Sequence, residues 1–268
     1  MSETPPVVLT VAGSDPSGGA GIQADLKTIH QHGAYGAAIP TLLTVQNTEG
    51  VEDVELLSPG LIRAQLENLL ADLEPRAAKT GALGSRAVAE TLAEVMDQTS
   101  FPWVVDPVWL PTRGRPIAKG DVVDAYREVL IGRAALLTPN AQEAALLVEA
   151  PVRTVRDARR AAQRIAALGA RSVLVKGGHL EGKDRGVDVL LHGGQVTELA
   201  AADTVPGSFH GTGCALSAAI ASRMACGEEI PTAVARAKAW LTAALARAFA
   251  VGQGAKPVNH LWPVQSKP

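Results

Sequence analysis

Residues 7–28, VVLTVAGSDPSGGAGIQADLKT, join three signals in one run. Residues 7–12 are a short apolar segment rich in β-branched side chains, which predicts a buried strand. A loop follows with glycines at Gly13, Gly18, Gly19 and Gly21, and a helix is predicted from about Ile22 to His32. Strand and helix signals then alternate. AAIPTLLTV (37–45) reads as extended, although Pro40 is unusual inside a strand. Ser58 and Pro59 open a helix whose inner face is predicted to carry Leu61, Ile62, Leu66, Leu69 and Leu70. AAKTG (77–81) and WVVDPV (103–108) are strands that end in loops, with a helix over about Ser85–Met96 between them. AALLTPN (134–140) stops in a turn and AQEAALLV (141–148) resumes as helix. Thr154 and Asp157 form a capping box for a helix that ends before Gly169. SVLVKGG (172–178) is a buried strand, VDVLLHGGQVTEL (187–199) a hairpin turning at Gly193–Gly194, and helices follow over about Cys214–Cys226 and Pro231–Val251. The alternation predicts one α/β domain over residues 1–268, with a mostly parallel central sheet, helices on both faces and short flexible ends at about 1–5 and 263–268.

The 268 residues are 47% apolar and 19% charged, ample for a core, while only 3% are aromatic, so aliphatic and alanine packing must fill it. A net charge of −2 gives no electrostatic reason to expect nucleic acid or an anionic membrane. The first ten residues lack the basic and apolar regions of a signal peptide. The most apolar helix candidate is interrupted by Arg236, Lys238 and Arg247 and makes a poor membrane span. The cysteines are Cys214 and Cys226, which one helix would hold roughly 18 Å apart. That is too far for a disulfide and suits a reducing cytoplasm.

Parallel sheets of this kind bind ligands outside the carboxyl ends of their strands. Five predicted strands run there into chemically loaded loops: Gly13–Gly21, Lys79–Gly81, Asp106–Pro107, Thr138–Asn140 and Lys176–His179. GSDPSGG has P-loop glycine spacing, but Gly19 and Ala20 stand where lysine and serine or threonine are required. GTGCAL begins like a dinucleotide fingerprint and then has Leu216 in place of the third glycine. His30 and His32 point to different helix faces, and no C-x-x-C exists, so zinc is not indicated. Asp106 and Glu143 are hard-cation ligand types that could hold Mg²⁺ through water. Cys214 follows His210 by four residues and opens the helix after Gly211, Thr212 and Gly213. A helix N-terminus lowers a thiol pKa and receives anions, whereas a buried cysteine is commonly an inert apolar group; both readings of Cys214 stand on position alone.

Taken together, AGSDPSGGAGIQADLKT, TVQNTEGV, KTGALGS, VVDPV, LTPNAQEA, VLVKGGHLEG, HGTGCALSAAIA and PVNH resemble the ribokinase-like superfamily. Within it they look most like the hydroxymethylpyrimidine/phosphomethylpyrimidine kinases of thiamine biosynthesis. The resemblance implies a cytoplasmic homodimer that uses ATP and Mg²⁺ to phosphorylate an aminopyrimidine alcohol and its monophosphate. Residue by residue, it implies that Gly13, Asp25 and Gln46 hold the pyrimidine ring, with Asp25 accepting from its amine. Asp106 and Glu143 match the region that organises Mg²⁺, and Asn140 and Lys176 match positions that meet the ATP phosphates. Gly211, Thr212, Gly213 and Cys214 match the anion hole, where many relatives have an aspartate base and the pyrimidine kinases a cysteine. The implied role of the thiol is to meet the substrate hydroxyl as thiolate.

Two stretches depart from the family pattern. Ala82 stands where a methionine usually packs near the ring, and Trp109, Thr112 and Arg113 replace a methionine and a Lys-Ser pair, with Arg113 or Arg115 as substitutes for the lysine. Ala82 and Trp109 are therefore expected to shape the acceptor pocket together, one volume offsetting the other. These departures keep two alternatives open, a pyridoxal-type vitamin B6 kinase and a catalytically idle ligand sensor.

Overall fold

The computed structural model describes residues 4–109, 117, 121–200, 205 and 207–263, so the expectations for Thr112, Arg113, Arg115 and the outermost residues of both ends lie outside it. In chain order its strands are β1 (Val7–Ser14), β2 (Tyr35–Gln46), β3 (Val51–Leu56), β4 (Pro75–Thr80), β5 (Trp103–Val105), β6 (Leu136–Leu137), β7 (Ser172–Val175), β8 (Asp188–His192), β9 (Gln195–Leu199), β10 (Phe209–His210) and β11 (Lys256–Pro257). The helices are α1 (Gly21–Gln31), α2 (Pro59–Leu70), α3 (Arg86–Asp97), α4 (Val122–Ala125), α5 (Ala141–Val148), α6 (Val155–Ala167), α7 (Thr212–Ala225) and α8 (Ile230–Ala246). Nine strands form one sheet in the order β3-β2-β1-β4-β5-β6-β7-β8-β9. The run from β2 to β7 is parallel; β3 at one edge and the β8–β9 hairpin at the other are antiparallel.

The two-residue period of the strands sorts their side chains between two cores. Leu9, Val11, Ala78, Val105, Leu137, Val173 and Val175 face α2, α3, α5 and α6. Val8, Ala77, Val104, Leu136 and Leu174 face α1, α7 and α8. Both faces are thus covered, as the continuous apolar runs demand. Pro40 is accommodated within β2 opposite Ala12, just where the β1–β2 register shifts. Gly193 and Gly194 turn the β8–β9 hairpin with φ of 56° and 78°, the left-handed pair of a tight two-residue turn. The Thr154–Asp157 capping box opens α6.

Some expectations are corrected. Leu61 is not on the inner face of α2; it is 48% exposed, while Ile62 and Leu66 are buried. The last helix ends at Ala246 instead of reaching Val251: Asn259 Nδ2 takes the Arg247 carbonyl at 3.1 Å, and the Arg247 guanidinium lies 3.8 Å over the Trp262 ring. Three elements are additional to the predicted ones: edge strand β3, the helical turns over Val122–Leu130, and the β10–β11 pair. That pair belongs to a strap in which residues 252–260 return to the active edge. Ala255 N–H donates to Thr48 O at 2.9 Å, β11 pairs with β10, and His260 Nδ1 lies 3.1 Å from Thr28 Oγ1 on α1.

Candidate active site

The carboxyl ends of β1, β4, β5, β6 and β7 are consecutive in the sheet, so their five loops share one edge, as expected. With the loop before α7 they enclose a cavity of about 610 Å³, whose walls include Gly13, Gln46, Ala82, Asp106, Asn140, Glu143, Lys176 and Gly211 to Cys214.

One group of side chains is built on Asp106, fully buried just after β5. Its Oδ1 accepts from Thr138 Oγ1 at 3.0 Å and from Lys176 Nζ at 2.6 Å, and its Oδ2 accepts from Ser217 Oγ at 3.2 Å. Lys176 Nζ also lies 3.8 Å from Glu143 Oε2. Burial opposes the ammonium, yet the two carboxylates hold the Lys176 pKa above the usual lysine value. Burial pushes Glu143 up to about 7, against the pull of Lys176. Asn140 caps α5: its Oδ1 accepts from the N–H groups of Gln142 and Glu143, and Glu143 Oε2 accepts from Asn140 N–H at 2.6 Å. Asn140 and Lys176 are bridged in parallel, which brings the two residues expected at the phosphates together.

The same group abuts the start of α7. Gly211 caps that helix with φ 76°, and a Cβ there would lie 1.8 Å from Gly19 O, so only glycine fits. The first N–H groups of a helix lack intrahelical acceptors and carry the positive end of its dipole. A Cβ on Gly213 would stand 3.1 Å from Lys176 Nζ and 3.5 Å from Asp106 Oδ2. Lysine, carboxylate and helix terminus therefore meet at one point, an arrangement suited to a transferring phosphoryl group.

A second group surrounds the loop after β1. Asp15 organises it, accepting from Ser17 N–H, Ser17 Oγ, Ala20 N–H and His210 Nε2 within 3.0 Å. Burial opposes ionisation, but the hydrogen bonds from His210 and Ser17 hold its carboxyl below the usual range. The Gln46 amide lies 3.0 Å from His210 Nε2 and 3.1 Å from Thr44 Oγ1. Gly13 is tight for another reason, since a Cβ there would meet Leu42 Cδ1 at 2.6 Å. Ala82 packs with Leu42, Val51 and Ile117 on the cavity wall.

Two expected residues are placed differently, and a third is in place with another charge state. Asp25 does not line the cavity: it is fully buried, with Oδ2 accepting from Thr10 Oγ1 at 2.6 Å and both oxygens within 3.1 Å of Lys79 Nζ. Its carboxylate is sealed away from a substrate amine in the cavity. Trp109 also lies off the cavity wall, packed edge-on against Tyr126 at 5.4 Å in the core opposite α7. Ala82 and Trp109 thus belong to different clusters. Cys214 is in place beside the cavity, but burial pushes its thiol up to about 11, against the pull of Lys79 and a hydrogen bond from Gly21 N–H. The resting form is the thiol, because desolvation outweighs the helix terminus.

Other residues take their places through the fold. Lys79, buried with Asp25 behind the cavity wall, brings its charge near Cys214, and His210 links Asp15 to Gln46. Lys238 lines the cavity, donating to Gly186 O and Asp188 Oδ2 at 2.7 Å, while Asp188 Oδ1 accepts from Gly177 N–H at 2.7 Å and steadies the loop after Lys176. Lys79 opens one of the five loops marked in the sequence, where it is a lone lysine in the apolar strand RAAKTG; its partner Asp25 is what the fold adds. His210 and Lys238 carry no such signal, since their partners are far away in sequence.

A family model described as phosphomethylpyrimidine kinase matches residues 15–259. The chain is 42% identical to the hydroxymethylpyrimidine/phosphomethylpyrimidine kinase of Streptomyces coelicolor over 97% of its length and 96% of the relative's. It is 40% identical to the Synechococcus elongatus protein of the same name, with 97% and 98% covered. Among solved structures, pyridoxal kinase of Bacillus subtilis in its ADP complex superposes with TM-score 0.87 at 34% identity, covering 96% and 98% of the two chains. Phosphomethylpyrimidine kinase of Clostridium difficile superposes with TM-score 0.79 at 37% identity, covering 90% and 99%. The family match over residues 15–259, the named kinase relatives at 40–42% identity and the ribokinase-like sheet make this protein a phosphotransferase belonging to the phosphomethylpyrimidine kinase family.

Proposed function

We propose that the protein transfers the γ-phosphoryl group of ATP to 4-amino-5-hydroxymethyl-2-methylpyrimidine and then to its monophosphate, as a single-domain cytoplasmic enzyme of thiamine biosynthesis. The observation that carries this reading is the meeting of Lys176, Asp106 and the α7 N-terminus beside Cys214, on a cavity that Gln46 also lines. The names borne by relatives at 40–42% identity supply the substrate class.

In this reading Gly211 to Gly213 and Lys176 bind the transferring charge, and Asn140 lies beside Lys176 for the nucleotide phosphates. Asp106 and Glu143 are two hard oxygen donors around one exchangeable ammonium, a donor set that fits Mg²⁺. When bound, the ion would neutralise phosphate charge. Gln46 and Gly13 hold the acceptor ring, with Ala82 on the wall. Asp25 acts from below, holding the Lys79 charge near Cys214. Cys214 meets the hydroxyl. Its role as proton acceptor needs the minor thiolate form, so its contribution rises with pH.

The chain is incubated with ATP, Mg²⁺ and three acceptors: the pyrimidine alcohol, its monophosphate and pyridoxal. Mass detection should show the pyrimidine monophosphate, then the diphosphate. Pyridoxal phosphate as sole product would favour a B6-kinase reading, which the TM-score of 0.87 to pyridoxal kinase keeps in play. No turnover of any acceptor would favour the idle sensor. The homodimer implied by the family is tested by sedimentation velocity.

A further inference from the structure

The Gln46 amide can be turned end for end without changing its shape, so its neighbours decide which end is oxygen. One terminal atom lies 3.0 Å from His210 Nε2, the other 3.1 Å from Thr44 Oγ1. His210 Nε2 is also 2.8 Å from Asp15 Oδ2, an ionised carboxylate that can only accept. That nitrogen must therefore carry hydrogen. A second N–H facing it from Gln46 would set donor against donor, so the Gln46 atom beside His210 is the oxygen.

Thr44 imposes the same answer independently. Its hydroxyl has one hydrogen and lies 2.8 Å from Ser14 O, which can only accept. With that hydrogen committed, Thr44 Oγ1 offers Gln46 a lone pair, and the amide end facing it is the NH₂. Two neighbours on different elements agree.

We infer that His210 is the positioning residue of the acceptor site: its single Nε2–H, shared in a three-centre bond between Asp15 Oδ2 and the Gln46 amide oxygen, locks the amide of Gln46 in one orientation. Rotation of Gln46 would break both contacts at once. The locked amide keeps one N–H and one lone pair uncommitted on a residue that lines the cavity. Such a pair matches a ring edge with an acceptor beside a donor, as in a ring nitrogen next to an amino group. Pyridoxal carries no amino group beside its ring nitrogen. The inference rests on Gln46 as the ring reader proposed above and extends the set of residues that determine specificity. His210 itself is held from behind by the pairing of β10 with β11.

The test uses the ¹⁵N-labelled full chain. Long-range ¹H–¹⁵N spectra, with His210 assigned from its loss in His210→Gln, should show a protonated Nε2; a ring protonated only at Nδ1 overturns the inference. In steady-state assays His210→Leu should raise the acceptor KM roughly tenfold with the ATP KM unchanged. His210→Gln, which restores a donor, should recover most of that loss. An unchanged acceptor KM in His210→Leu, or equal rises in both KM values, overturns the proposal. If pyridoxal proves to be the acceptor, the functional reading fails, while the tautomer measurement still decides the role of His210.

Discussion

Two of the lysine–aspartate pairs at the active edge of the sheet, Lys79–Asp25 and Lys176–Asp106, differ in their exposure. Lys79 and Asp25 are both fully buried, with the aspartate also held by Thr10. Lys176 and Asp106 are closer, at 2.6 Å, but the lysine side chain keeps 12% of its surface open to the cavity. A sealed pair cannot exchange partners, because separating it strands a charge in low dielectric. An open pair can turn its ammonium from carboxylate to phosphate. Partial exposure thus separates a fixed charge near Cys214 from one that is free to take up the phosphate role proposed for Lys176.

Breaking the sealed pair should have the largest effect. Lys79→Met leaves Asp25 buried and unpaired and is expected to lower stability by about 3–5 kcal/mol in urea titrations. Adding Asp25→Leu should return most of it. If the single change proves mild, Asp25 is not sealed and regains its claim on the substrate. Next comes the open pair. Lys176→Ala should reduce kcat about 10²–10³-fold with little change in melting temperature, since Asp106 keeps Thr138 and Ser217. A large loss of stability there would erase the distinction.

Glu143 sharpens the comparison by pH. Its folded value of about 7 exceeds the ordinary 4.5, so between these values the folded state holds a proton that the unfolded chain has lost. The stability this contributes is fully present below about pH 4.5 and is lost as pH rises through 7, at up to about 1.4 kcal/mol per pH unit. Glu143→Gln should flatten that slope in unfolding titrations run across the window. The smallest effect is expected for Ala82→Met with Trp109→Met. The two sites lie in separate clusters, so their double-mutant coupling in acceptor KM should stay within about 0.5 kcal/mol.

Lys176 and Lys79 also mark where sequence reading succeeds and stops. VLVKGG and AAKTG look alike, each a lysine where an apolar strand runs out, and both were placed on the correct edge because parallel strands deliver their carboxyl ends to one side. Which lysine is sealed depends on how α1 seats Asp25 and Thr28 against the sheet, a tertiary choice that no local pattern encodes. Asp25 was read as facing a ligand for that reason. For Cys214 the helix position is visible in sequence, while the burial that pushes its thiol up to about 11 is not. Strand β3 escaped because VEDVEL puts acids on an exposed edge, and its register comes from β2. His210 meets Asp15 and Gln46 from 195 and 164 positions away.

The strap over residues 252–260 has a consequence for how the enzyme comes into being. Gly254 donates to Thr48 from 206 positions away, and a Cβ on Gly254 would lie 1.9 Å from Thr48 O, so the join admits no looser version. A ribosome delivers β1 to β7 long before residues 252–260 emerge. Until they do, β10 lacks its partner strand and His210 its backing. The cavity wall at His210 therefore depends on a join made by a segment near the end of the chain, and it is complete only when residues 252–260 have docked.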